Sequence, residues 1–492
     1  MRRIAPLFVL FVSLGFAQLH KIPVNANWFP SAPGELSKLL DQAFATAAKR
    51  TGSAPPRQRL LGLIAPHAAL PYSGAVAAAA YRLLDHPKNV IVLAISHSRP
   101  LKGITAPLLT AYATPLGEIR VNRAAIRELK FPLAVEGRLC DHSLENQLPF
   151  VQRAAPGASV IPLYIGDLSP AELAAAARKL ATRVEQGDVV VASSDLTHYG
   201  EAYGYTPFPL DKQLPLRLRN RAMEIFERIG SLEPPAFDAF LSETKDNLCG
   251  WGPIRLLMAT MGQLRNDVYV APLDYMASGE LTRNYALSAR CGALPLYPPS
   301  AFTVDTADGK RLVASARQTL DRYLTSGRKV RVPVPANERD PALEQRVGVF
   351  VTLKKEGQLR GCIGTLFPVQ PLWEEIADRT LAAASEDPRF SPVAANDGPI
   401  SLEISILTPL KRIAGWRQFR IGQGGVILLN GKSGTILPQI ASEMHWNREQ
   451  FLENLSLKAG LDRQAYRDPR AQLYVYSAQV ITESDGAGNS GR

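Results

Sequence analysis

Cysteine is scarce: the chain has four thiols, Cys140, Cys249, Cys291 and Cys362, in 492 residues. None of them stand in CxxC spacing, which excludes a disulfide scaffold and a structural zinc finger. Basic runs are missing as well. The formal net charge is +11, yet no stretch of five basic residues gathers it, which argues against specific nucleic-acid recognition. Long apolar runs are confined to the N-terminus, and no later segment approaches the roughly 18 apolar residues of a membrane-spanning helix. No internal repeat relates one half to the other. A chain of 492 residues exceeds the ~250–300 at which single cores stop growing, so at least two domains are expected. With 46% hydrophobic and 21% charged residues, the composition is that of packed globular domains rather than a disordered scaffold.

Met1-Arg2-Arg3 is followed by an uncharged, largely apolar stretch from Ile4 to Ala17. A charged start, an apolar run and the small residues Gly15 and Ala17 ahead of Gln18 predict a signal peptide over residues 1–17. The protein is then exported, to a periplasm or beyond. Left uncleaved, the segment would be an anchor or the chain cytoplasmic, but the run is shorter than the ~20 residues that span a bilayer. No membrane span is expected after its removal. In an oxidising compartment at least one of the four cysteines should be bridged or metal-bound.

From Leu61 onward short apolar runs alternate with amphipathic segments. Leu61 to Ala65, Val90 to Ile95, Val160 to Ile165, Val189 to Ala192 and Val268 to Ala271 read as buried strands. Gly74 to Leu84, Pro170 to Glu185 and Leu216 to Ile229 read as helices, the second opening on Ser169 as cap and Pro170 in the first turn. This alternation predicts an α/β module over residues 20–296, its sheet mostly parallel or mixed. The proline-rich segment Ala293 to Ser300 marks the boundary. A smaller module follows over residues 302–482, with a helix from Lys310 to Ser326, strands Val349 to Lys354 and Ile400 to Leu407, and helices Leu372 to Glu386 and Arg448 to Lys458. The Gly/Ser-rich tail, residues 483–492, reads as disordered.

Ligands in open α/β sheets gather outside the carboxyl ends of the strands. His67 follows the first of these strands, His97 the second, and Ser193-Ser194-Asp195-Leu196-Thr197-His198 the fourth. One histidine at a strand end is usually incidental; three at the same sheet edge point to a site. Cys249 precedes Gly250-Trp251-Gly252-Pro253, with Pro253 suited to a first helical turn, and a helix N-terminus favours thiolate. Asp141-His142-Ser143-Leu144-Glu145 adds acid and base groups, or else caps a helix. His142 or Glu145 would there orient a ligand histidine.

Ala65-Pro66-His67-Ala68, Tyr72-Ser73-Gly74, Ser96-His97, Thr114-Pro115-Leu116-Gly117, Asp141 to Glu145 with Gln147-Leu148-Pro149-Phe150, Ser193 to Asp195 with His198-Tyr199-Gly200, and Cys249-Gly250 together resemble the MEMO family. That family looks like the catalytic subunits of class III extradiol dioxygenases, which hold Fe(II) between two histidines and a glutamate. The resemblance implies that His67, His97 and Cys249 are the metal ligands, Cys249 standing for the glutamate, with Asp195 and His198 beside them in the pocket. On an enzymatic reading Asp195, His198 and His142 are the catalytic groups, with His198 or His142 as proton donor and acceptor. Exchanging carboxylate for thiolate shifts preference toward softer ions such as Cu(I) or Zn(II), with Fe(II) still possible. With the family's iron taken into account, Fe(II) or copper is expected and Zn(II) is the alternative. Ala69, Ser98 and the Cys140-Asp141 pair depart from the family's usual residues.

In the second module Leu359-Arg360-Gly361-Cys362-Ile363-Gly364 reads as a strand leading into a glycine-flanked turn, where Arg360 could grip an anion. With Glu386-Asp387-Pro388-Arg389-Phe390, Leu402 to Leu407, Ile436-Leu437-Pro438-Gln439 and Lys458-Ala459-Gly460-Leu461 it resembles the AMMECR family, of α+β fold. The two modules recur with a radical SAM protein in the AmmeMemoRadiSam system, which implies such a partner, although export would separate the two. The readings left open are a metal-dependent oxidoreductase, a non-catalytic metal-binding or peptide-binding adaptor, and ligand binding at the Arg360 loop. The small-molecule or peptide ligand is not specified by sequence.

Overall fold

The computed structural model describes residues 18–23, 28–52, 60–135, 139–264 and 267–483. The predicted signal peptide and residues 484–492 of the predicted tail lie outside them. Among the described residues no helix is long and apolar enough to cross a membrane.

Strands Gly62–Ala65, Val189–Ser193, Asn89–Ala94 and Ser159–Ile165 lie side by side in that order and run parallel. The first three are buried at every position, which is why they read as unbroken apolar runs: both faces are covered. Helix Leu70–Tyr81 packs on the first strand and Trp251–Gly262 on the second. The alanine run Ala77 to Ala80 is fully buried, and small side chains let this helix settle close to the sheet. Helix Pro170–Glu185 has its predicted bounds, closed by a reciprocal Ser169–Glu172 capping box.

The proline-rich segment read as the boundary begins inside a strand and ends beyond it. Residues Ser288–Tyr297 form one long strand that pairs antiparallel with Gly62–Ala65. Pro295 lies within it, and its carbonyl accepts from Ala271 N; proline forfeits one donor and keeps the acceptor. The link to the second module therefore begins at Pro298-Pro299.

The second module places helix Leu372–Ser385 against an antiparallel sheet of Gln358–Thr365, Val349–Lys355, Ile400–Leu407 and Ala478–Thr482. A second four-stranded sheet holds Lys411–Ile413, Gln472–Tyr476, Gly424–Leu429 and Lys432–Ile436. The Leu359 to Gly364 motif is not a turn: the turn is at Glu356 (φ 51°) and Gly357 (φ 77°), and the motif is the returning strand. A Cβ on Gly361 would stand 2.2 Å from the Ala383 carbonyl oxygen, so glycine is required for strand and helix to meet. Arg360 is not free to grip an anion, because its guanidinium donates to Ser391 O, Pro392 O and Asp397. Glu483, assigned to the tail, belongs to the fold: its carboxylate pairs with Arg317 at 2.6 Å and accepts from Leu402 N.

The modules share one continuous apolar core. Across their junction Glu227 accepts from Arg412 at 3.1 Å and from the Tyr474 hydroxyl, and Tyr269 meets Ser477 at 3.1 Å.

Candidate metal centre

The parallel strands deliver their loops to one edge. Asp195 follows Val189–Ser193 and lies next to His67, which follows Gly62–Ala65: both His67 N and Ala68 N donate to Asp195 Oδ1, at 2.9 and 3.0 Å. The Cys249 loop closes in because Gly250 permits it; a Cβ there would stand 2.4 Å from Ser194 Cβ and 2.5 Å from Ser193 O. Helix Trp251–Gly262 starts at Gly250 as cap, which puts Pro253 in its first turn.

The hydrogen bonds behind the histidines fix which nitrogen faces the pocket. The hydroxyl of Ser193 donates to Ser143 O, so toward His67 Nδ1, 2.9 Å away, it can only accept. His67 is thus protonated on Nδ1 and turns the Nε2 lone pair to the site. His97 Nδ1 donates to Asp141 Oδ1 at 2.9 Å, and its backbone N donates to Asp141 Oδ2 at 2.8 Å, which leaves Nε2 outward in the same way. Gln147 supports this frame by donating to Ser193 Oγ and Pro66 O.

Two compact groups result, both containing His67. One is His67, His97 and His142; the other is His67, Asp195 and Cys249, the donor atoms within each lying within 4.8 Å of one another. The predicted trio of His67, His97 and Cys249 is not itself such a group among the described residues. Cys249 Sγ is 3.3 Å from His67 Nε2, while the ring beside His97 is that of His142, stacked on it at 4.3 Å and itself stacked on Trp28 at 4.1 Å. His142 therefore stands among the donors rather than behind them. Asp141, read from the sequence only as part of an acid/base or capping segment, caps the short helix His142–Glu145 and also orients His97. Its position directly before His142 was the available signal. His198 flanks the site, its Nε2 3.8 Å from the Asp195 carboxylate.

Electrostatics favour neutral imidazoles. Burial lowers His67 to about 4, against a partial opposing pull from Asp195. Burial lowers His142 and His198 as well. Burial pushes Asp141 upward, but the bonds from His97 and Ser143 outweigh it and hold the carboxylate well below the usual range. The expectation for Cys249 is corrected: desolvation overcomes the helix terminus and pushes the thiol well above its ordinary value. All four cysteines are free of disulfides.

Fold and site together define a two-module mixed α/β protein with histidine and cysteine donors grouped at a sheet edge. The chain belongs to the Memo-like protein family, whose family model matches residues 22–290, and the AMMECR1 family model matches residues 313–481. A protein of Methanothermobacter thermautotrophicus is 38% identical over 184 residues, 36% of this chain and 94% of that protein. A protein of Methanopyrus kandleri is 37% identical over 192 residues, 37% of this chain and 91% of that protein. The crystal structure of an uncharacterized protein from Pyrococcus horikoshii is 33% identical, with a TM-score of 0.33 over 35% of this chain and 89% of that one.

Proposed function

We propose that the Memo-like module is a metal-dependent oxidoreductase that holds copper or Fe(II) through His67, His97 and His142, with Cys249 as an adjoining thiolate donor. The observation that carries this reading is the pair of hydrogen bonds, Ser193 to His67 and Asp141 to His97, that leave two Nε2 lone pairs facing one site. Imidazole nitrogens with a nearby thiolate suit such soft or borderline ions. A redox-active ion so held would supply one-electron or oxygen chemistry. The chain's own residues do the rest: His198, neutral at physiological pH, sits against Asp195 where it can take or return a proton, and exposed His97 leaves the site open to an incoming ligand. Zn(II) in the same donors would give the non-catalytic adaptor instead, a reading favoured by the 3.3 Å approach of the Cys249 sulfur to His67, since oxygen chemistry there risks oxidising the thiol.

Metal content of anaerobically purified protein is compared between wild type and His97→Ala. Loss of metal in the variant supports the site, and equal content refutes it. Oxygen consumption by iron- or copper-loaded protein with a catechol panel then separates turnover from simple binding. Export and a radical SAM partner remain part of the proposal. An intact Met1 in the mature protein would refute export, and failure of the radical SAM protein of the same system to co-purify would refute the partnership.

A further inference from the structure

Behind the His97 and His142 loop lies a second group of donors that the proposed function does not use. His20 on strand Gln18–Lys21, Cys140, and Glu145 on helix His142–Glu145 bring one nitrogen, one sulfur and one carboxylate oxygen within 4.8 Å of each other. His20 Nε2 is 2.9 Å from Glu145 Oε1. His20 is also the register partner of Tyr112 on the neighbouring parallel strand, the two rings meeting edge to face at 5.4 Å. The Tyr112 hydroxyl is buried with no partner at full hydrogen-bond geometry, and the side chain placed to bond it is Cys140. A buried hydroxyl left short of a full bond calls for an explanation.

We propose that His20, Cys140 and Glu145 form a separate structural site for a zinc-class divalent cation. Imidazole, thiolate and carboxylate are the three ligand types that zinc takes. The charges balance: a divalent cation with one thiolate, one carboxylate and a neutral imidazole is neutral overall, as a buried site requires. Binding displaces the Cys140 thiol proton and the proton on His20, which burial disfavours but Cys140 and Glu145 hold there up to about 10, both released to solvent. The thiolate then gives the Tyr112 O–H the charged acceptor it lacks. Mechanically, the ion ties the first strand of the described fold to the segment that carries Asp141 and His142. This site is independent of the first and survives if the oxidoreductase reading fails.

The test uses the full chain with His67→Ala and His97→Ala together, which removes the first centre, titrated with Zn(II) alone. About one zinc equivalent per chain is expected, with a rise in Tm, and both are lost on adding Cys140→Ser or His20→Ala. No zinc bound, or binding unchanged by Cys140→Ser, overturns the proposal. If the double variant fails to fold, Co(II) replaces zinc in otherwise unaltered protein. Thiolate-to-cobalt absorption that persists in Cys249→Ser and vanishes in Cys140→Ser supports the site, and the reverse pattern overturns it.

Discussion

Asp141→Asn separates the orienting of a ligand from the folding of its loop. In the native protein one carboxylate accepts from His97 Nδ1 at 2.9 Å, from His97 N at 2.8 Å and from Ser143 N at 2.9 Å. Asparagine caps helices about as well as aspartate, so the Ser143 bond and the helix start should survive. What is lost is the negative charge behind His97 and one acceptor, because the amide nitrogen must face one of the donors. Removing a hydrogen-bonding partner behind a ligand histidine typically weakens metal binding by about 10–100-fold, or ~1.4–2.7 kcal/mol. Competition titration with a chromophoric chelator measures this, and a thermal melt in the absence of metal should show the fold retained. Unchanged affinity in a folded variant would refute the claim that Asp141 aims His97, and collapse of the apo protein would mean its role is structural.

Gly250→Ala should destabilise the protein by about 1–3 kcal/mol in denaturant titration, because the new Cβ meets Ser193 O at 2.5 Å, and it should weaken metal binding by moving Cys249. Gly361→Ala should lower the Tm while sparing the metal centre, since its clash at 2.2 Å is with Ala383 O in the other module. The depressed His67 gives a pH dependence. The unfolded chain takes up the proton near 6.5 and the folded one only near 4, so its contribution to stability is whole above about 6.5. That contribution declines as pH falls toward about 4, by at most ~3 kcal/mol. His67→Gln should flatten that part of the stability profile in chemical denaturation between those pH values, and a profile as steep as wild type would refute the assignment.

The strands that build the site were legible because they are buried on both faces, so that Val90 to Leu93 and Val189 to Ala192 show unbroken apolar character. The three strand ends at one edge followed from parallel order alone. Not every residue of the segment 293–300 breaks the chain: Pro295 reads as a break but sits inside Ser288–Tyr297, where its carbonyl is the group the sheet uses, and the link begins at Pro298-Pro299. The Leu359 to Gly364 motif misled in the same way, its glycine serving a close helix contact and not a turn. His142 was placed behind the ligands because spacing along a helix says which residues share a face, not which way that face looks.

Cys249 shows most directly why charge state had to wait for coordinates. A thiol before a helix invites the reading of a lowered pKa, and the bonds from Gly250 and Ser194 do pull that way, yet desolvation exceeds them. An uncharged thiol is a poor nucleophile and a poor ligand. It becomes an anion here only if a cation arrives to replace the lost hydration, and neutral His67, whose Nε2 lies 3.3 Å from the sulfur, cannot be that cation. Alkylation of Cys249 in metal-free protein at pH 7 should accordingly be slow compared with a free exposed thiol. Proton release on metal addition, followed with a pH indicator in weakly buffered solution, should fall by about one proton per chain in Cys249→Ser. Rapid alkylation of the apo protein would mean that the thiol is ionised without metal, and equal proton release in both proteins alongside slow alkylation would remove Cys249 from the donor set.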